Sequence, residues 1–215
     1  MTTVTDNTYY QSGKKFIPNT SDQDAGYGVA SKDTLNDIII DTERQLLIDC
    51  LNVTLYNELT IALDNLPSAN QKWRYLVEGK YYSKDGDTFY WEGLRGFNKN
   101  SLVAYYVFCA YMQNDDSYYS TTGVKKVEAN GSVNFGTTKK YVNAFNEFVA
   151  KYQDKYREDE VSYFVDCYGA VVGVDYYSQQ NKNQNVSLEK FLKDHPDDFP
   201  DIAFRRYEML NTWGI

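Results

Sequence analysis

The sequence predicts a mainly α fold: a small helical bundle around one central apolar helix, with one or two β-hairpin insertions and an extended N-terminal arm. Three observations carry that reading. Residues 102–112, LVAYYVFCAYM, contain no charge and are apolar on every side, as in a helix covered all round by others. Residues 41–64 place Leu46, Leu47, Cys50, Leu51, Leu55, Leu59, Ala62 and Leu63 three or four apart, the spacing of an amphipathic helix. Two aromatic runs then flank Asp85-Gly86, the signature of a tight hairpin. At about eleven apolar residues the central helix falls short of the roughly 20 that cross a bilayer, so no membrane partner is expected.

In chain order, residues 1–34 are polar, with scattered glycines and no sustained apolar period. They read as an extended arm that Tyr9, Tyr10, Phe16 and Tyr27 anchor on a partner, or as a disordered tail. The helix over 41–64 ends at Pro67-Ser68. A short helix over 69–78 follows, with Trp73, Leu76 and Val77 on one side and Gly79 at its stop. The hairpin over 80–91 pairs Tyr81, Tyr82, Phe89 and Trp91 across its ribbon. Leu94 follows in a turn bracketed by Gly93 and Gly96. Asn100 or Ser101 caps the central helix, whose Leu102, Tyr106 and Phe108 join Trp73, Trp91 and Leu94 as core residues.

Beyond the central helix, residues 115–138 form a long Gly, Ser, Thr and Asn-rich loop that includes Tyr118 and Tyr119. Its segments 124–128 and 132–135 flank Asn130-Gly131, which predicts a second hairpin near 124–135. Lys125, Lys126, Lys139 and Lys140 are its basic cluster, read either as a solvated face or as a contact with a partner or with DNA phosphates. Thr138 is expected to cap a helix reaching Tyr156, with Tyr141, Val142, Phe145, Phe148, Val149 and Tyr152 on its buried stripe. A short helix over 158–168 and a strand or loop over 169–175 come next. After a polar linker, Ser187 opens a helix stopped at His195-Pro196, and the final residues, DIAFRRYEMLNTWGI, read as helical. The organisation is an arm (1–34), a helical core with hairpins (35–168) and a C-terminal extension (169–215).

Charge bounds the partners. The chain has 22 Lys and Arg against 30 Asp and Glu, for a net charge of -8, and the excess acid lies in the first and last thirds. Such a surface repels phosphates, which argues against sequence-reading of nucleic acid but suits a channel that DNA slides through. A channel lined by Lys125, Lys126, Lys139 and Lys140 would contradict that picture. Cys50, Cys109 and Cys167 are odd in number and sit in apolar settings, as buried free thiols of a reducing cytoplasm do. The N-terminal residues lack the apolar core of a signal peptide. Twenty-one tyrosines among 215 residues suit extensive interfaces or a sugar-binding face.

No motif for catalysis stands out. His195 is the one histidine, read as part of an exposed turn, and zinc sites need more His and Cys than the chain brings together. Phosphate-loop, dinucleotide and nucleophile-elbow patterns are missing, so no cofactor is expected. Glu92, beside Trp91 and Arg95, is the most enclosed-looking acid, either a paired structural carboxylate or the acid of a glycosidase. Asp194, Asp197, Asp198 and Asp201 lack calcium-loop spacing and read as a solvated acidic face.

One set of segments carries a resemblance: LNVTLYNELTIAL, Trp73-x-x-Leu76-x-x-Gly79, WEGLRG, SLVAYYVFCAYMQND, the Thr121–Lys126 TTGVKK loop, and YVNAFNEFV. Over about 41–152, with an echo in LNTWGI, these resemble the head-to-tail connector or ring (adaptor) proteins of tailed bacteriophages, in particular those of crAss-like phages. The resemblance implies a non-enzymatic structural protein of the virion, assembled in the host cytoplasm. It would stand as a dodecameric ring in the phage neck, joining the portal protein to further neck and tail rings around the DNA channel. Tyr9, Tyr10, Phe16, Tyr118, Tyr119, Lys125 and Lys126 are the expected intersubunit or partner contacts. Competing expectations are a tail or baseplate component and a carbohydrate-binding module using the aromatic hairpin.

Overall fold

A computed structural model of the chain describes residues 2–18, 20, 28–115, 117–120, 123–126, 137–153, 163–165, 171–174, 185–202 and 204–210. The fold is mainly α with a β-hairpin, as the sequence predicts. Helix α1 spans Gly28–Asp64 and so starts well before residue 41. The earlier turns belong to the helix because Leu35 and Ile39, four residues apart, are both buried in the core. Residues 34–64 are long and apolar enough to cross a membrane by length and composition alone, but half of that window is buried inside the protein.

Asn52 interrupts α1 with φ 66° and ψ 168°. Its side chain accepts a hydrogen bond from the Leu55 amide at 3.0 Å, so it caps the second half of the helix while bending the first half away. Helix α2, Gln71–Glu78, is capped by Asn70 and halted at Gly79, which has φ 90°. Strands β1, Lys80–Lys84, and β2, Asp87–Trp91, then form the predicted hairpin, in register Tyr81 to Tyr90 and Tyr82 to Phe89. Asp85 and Gly86 both take positive φ, which a two-residue turn of matching twist requires.

Helix α2 and the hairpin exit are sewn together at backbone level. The Leu94 amide donates to the Leu76 carbonyl at 2.9 Å, Arg95 to Val77 at 3.0 Å, and the Trp91 indole to Leu76 at 3.0 Å. So close an approach leaves no room for a side chain at Gly93, where a Cβ would lie 2.5 Å from the Val77 oxygen. The Trp-x-x-Leu-x-x-Gly and WEGLRG segments are thus two halves of one packing unit.

Helix α3, Leu102–Asp115, is the central helix. Ser101 rather than Asn100 caps it, accepting from the Ala104 amide at 3.2 Å and donating to the Leu94 carbonyl at 2.5 Å. Leu102, Val103, Ala104, Tyr105, Val107, Phe108 and Cys109 are all buried, which spans every side of the first two turns. Strand β3, Ser117–Ser120, pairs with β4, Gly123–Lys126. Val124 is thus paired with the tyrosine-bearing segment before it; residues 127–136, and with them the hairpin expected about Asn130-Gly131, lie outside the described residues.

Helix α4, Thr137–Tyr152, lies against α3 with Val142, Phe148, Val149 and Tyr152 buried and Tyr141 and Phe145 half-buried, the expected stripe. The helix expected over 158–168 is corrected in its described part. Tyr163–Val165 is a strand, β5, paired with β6, Val171–Val174, because Tyr, Phe and Val favour a strand. Cys167 lies outside the described residues. Helix α5, Leu188–Asp194, has its Ser187 cap as predicted.

Residues 204–210 form neither helix nor strand, in contrast to the helix that their composition predicts. Side-chain amides of Asn146 on α4 and of Gln153 just past its end supply backbone partners for two of these residues. Asn146 bonds both the amide and the carbonyl of Leu210 at 2.8 Å, and Gln153 clasps Tyr207 at 2.8 and 2.9 Å. Tyr207 meets Phe148 and Tyr152 edge-on, extending the aromatic stripe of α4.

Candidate functional site

The arm folds back onto its own chain. Val4, Tyr10 and Ile17 are buried in the common core, and the Ile17 amide returns to the Tyr10 carbonyl at 2.8 Å. Its seat is Glu43, a buried carboxylate of α1. Glu43 accepts the Val4 amide at 2.8 Å, the Thr5 amide at 2.9 Å and the Thr5 hydroxyl. Burial pushes the Glu43 carboxyl up to about 7, against the pull of those three donors.

Where the arm turns across α3 and α4 it borders an open groove of about 620 Å3. Phe16, more than half exposed, stands on one side, with Tyr105 of α3 and Lys140, Asn143, Asn146 and Glu147 of α4 around it. Lys14 is tied to Glu147 at 2.8 Å, which fastens the arm to the groove wall. Lys15 is buried with its ammonium 4.2 Å from the centre of the Tyr105 ring. Burial, with repulsion from Lys151, lowers its pKa to about 8. Among the described residues it reaches no carboxylate within ion-pair distance.

The sequence leaves the arm either docked on a partner or a disordered tail; in the structure Tyr10 is instead a core residue of its own chain. Tyr9 is half-buried near Lys99, and Phe16 alone of the three presents its ring to solvent. Tyr118 faces Lys125 across the β3–β4 ladder, while Lys126 pairs with Ser117 and Tyr119 with Val124. Trp73, Trp91, Leu94, Leu102 and Phe108 are buried as expected, and Tyr106 is half-buried against Phe148.

Glu92 is a paired carboxylate. It meets Lys151 at 2.6 Å and the Asn185 amide at 2.5 Å beside a cavity of about 90 Å3. Asp194 is not part of a solvated face: its side chain is almost wholly buried and takes bonds from the Tyr82 hydroxyl and Lys84, both at 2.7 Å. Although burial opposes it, those bonds and Lys190 hold the Asp194 carboxyl below the usual range. His195 is half-buried, not exposed, with Nδ1 2.8 Å from the Phe191 carbonyl and its ring against Tyr82 and Phe191. Asp197, Asp198 and Asp201 are exposed, as expected. Among the described residues no group of three or more acids, cysteines or histidines is gathered as a metal site would require.

The aromatic hairpin splits its two faces. Tyr82 and Trp91 pack inward on Phe191, while Tyr81, the most exposed of its tyrosines, stacks at 4.4 Å on Tyr90. The polar seats are hidden from sequence reasoning because Glu43, Lys15, Asn146 and Gln153 each look like ordinary positions of a solvated helix or arm. No protein-family model, no curated protein and no solved structure matches this chain.

Proposed function

We propose that the protein is a non-enzymatic structural subunit of a tailed-phage virion, forming a ring in the neck that joins portal to tail and surrounds the DNA channel. The ring identity and its neighbours rest on the resemblance of residues 41–152. The structural observation that supports a contact role is the groove beside the folded-back arm. It is open and walled by a helix and the half-exposed Phe16 ring, features of a surface that can receive polypeptide. The exposed Tyr81 face of the first hairpin and the exposed residues of the 196–201 loop add area that intersubunit contact requires. Mass photometry of the purified protein, alone and mixed with the portal protein, tests the reading. A closed oligomer or assembly on portal supports it, and a monomer that turns over a substrate ends it.

A carbohydrate-binding module is the second reading, favoured by the Tyr81–Tyr90 pair, tilted by 30° at the surface as a sugar-stacking platform would be. Glycan-array binding by the monomer that Tyr81→Ala abolishes would support it over the ring.

A further inference from the structure

We propose that the groove between the arm and α4 receives the acidic 196–201 loop of a neighbouring copy of this chain. This is a head-to-tail contact that rests on the ring reading and names its interface. Three features of the groove ask for an anion on an apolar stem. Lys140 is exposed at its wall. Among the described residues the one acid of its lining, Glu147, is already bonded to Lys14. Phe16 offers more than half of its surface at the rim.

The complementary element lies elsewhere in the same fold. The loop 196–201, PDDFPD, exposes Pro196, Asp197, Asp198, Pro200 and Asp201, while Phe199 between them is buried. Phe199 packs edge-on to Trp73 at 5.7 Å, and Lys72 bonds the Asp198 carbonyl at 3.4 Å, so the loop is fastened to α2 before any partner arrives. A rigid loop loses little freedom on docking, and proline faces suit an aromatic rim. Its aspartates supply the negative charge that the lysine side of the groove lacks.

Groove and loop occupy different elements, so each copy presents both halves. Such a contact is heterologous and repeats from copy to copy until rotation closes a ring.

A charge-swap cycle on the full-length protein tests this, with assembly followed by sedimentation and mass photometry. Lys140→Glu and Asp198→Lys reverse exposed charges, and circular dichroism checks that each variant stays folded. Each single reversal is expected to raise the concentration for assembly by about tenfold or more, and the double variant to recover most of the loss. If the wild type assembles and neither reversal weakens it, or the double variant fails to recover, the groove–loop contact is wrong while the ring stands. If the wild type remains monomeric alone and with portal, the ring itself falls and the contact with it.

Discussion

Replacing Glu43 with glutamine turns the seat of the arm into a measurement of its electrostatics. The carboxyl of Glu43 is raised from 4.5 to about 7 in the folded protein, chiefly by burial. A raised value means that the folded chain holds the proton more tightly than the unfolded chain. The stability from this group is therefore fully present below pH 4.5 and is lost as pH rises through 7. At 1.36 kcal/mol for each pH unit of difference, the whole loss is about 3.4 kcal/mol, of which about 2 kcal/mol falls between pH 5.5 and 8. That window stays clear of the isoelectric point near 4.7. The glutamine side chain has no such titration, and any cost of its amide against the Val4 and Thr5 donors is the same at every pH.

The assay is urea unfolding of wild type and Glu43→Gln at several pH values across that window. All other titrating groups cancel in the difference between the two proteins. The variant should gain about 2 kcal/mol relative to wild type between pH 5.5 and 8. A flat difference would mean that Glu43 is not desolvated as its burial implies. A difference of the opposite sign would mean that the three donors outweigh burial and the seat favours the ionised form.

Other perturbations read other joints of the fold. Gly93→Ala forces a Cβ to within 2.5 Å of the α2 carbonyl at Val77 in a left-handed conformation, so a loss of about 3 kcal/mol or more in chemical unfolding is expected. Asn52→Ala removes the cap on Leu55 and leaves an alanine at φ 66°, together about 2 kcal/mol, and a loss under a few tenths would show that the α1 break has another cause. Cys50 is fully buried, and burial raises its thiol well above its usual range. A thiol reagent should therefore label it only at the rate of unfolding, with prompt labelling in the folded state refuting its place in the core.

The strongly periodic parts of this fold are readable because one force dominates each. Unbroken apolar character places α3 at the centre, alternation about Asp85-Gly86 sets the first hairpin, and the Phe148 stripe sets α4. Prediction fails where a few polar groups outvote the pattern. The start of α1 is obscured because Leu35 sits among Ser, Lys, Asp and Asn, although its spacing of four from Ile39 is the available sign. Residues 204–210 carry helix-forming composition, but Asn146 and Gln153 bond the backbone of Leu210 and Tyr207 outside any helix, and such long-range bonds leave no local trace. Val124 has suitable strand neighbours on both sides, so its sequence does not decide between pairing with Tyr119 and pairing with 132–135.

At the site the legible share is smaller. Phe16 reads from the sequence as a surface aromatic and is one, while Tyr10 shows how a tyrosine of a polar arm becomes interior once a single carboxylate holds the neighbouring amides. Charge totals give no hint that Lys15 is buried, because an ammonium over a ring needs a partner from a distant part of the chain, here Tyr105.

The two clasps, Asn146 on α4 and Gln153 just past its end, grip only main-chain atoms of Leu210 and Tyr207, so seven residues on one side are matched to three on the other. The fit is thus one of ruler to ruler, blind to the lettering of what it measures. A change of side chain at Leu210 leaves its clasp in place and one at Tyr207 costs the ring contacts on α4, whereas Gln153→Asn draws one amide back by a carbon and throws the two rulers out of step.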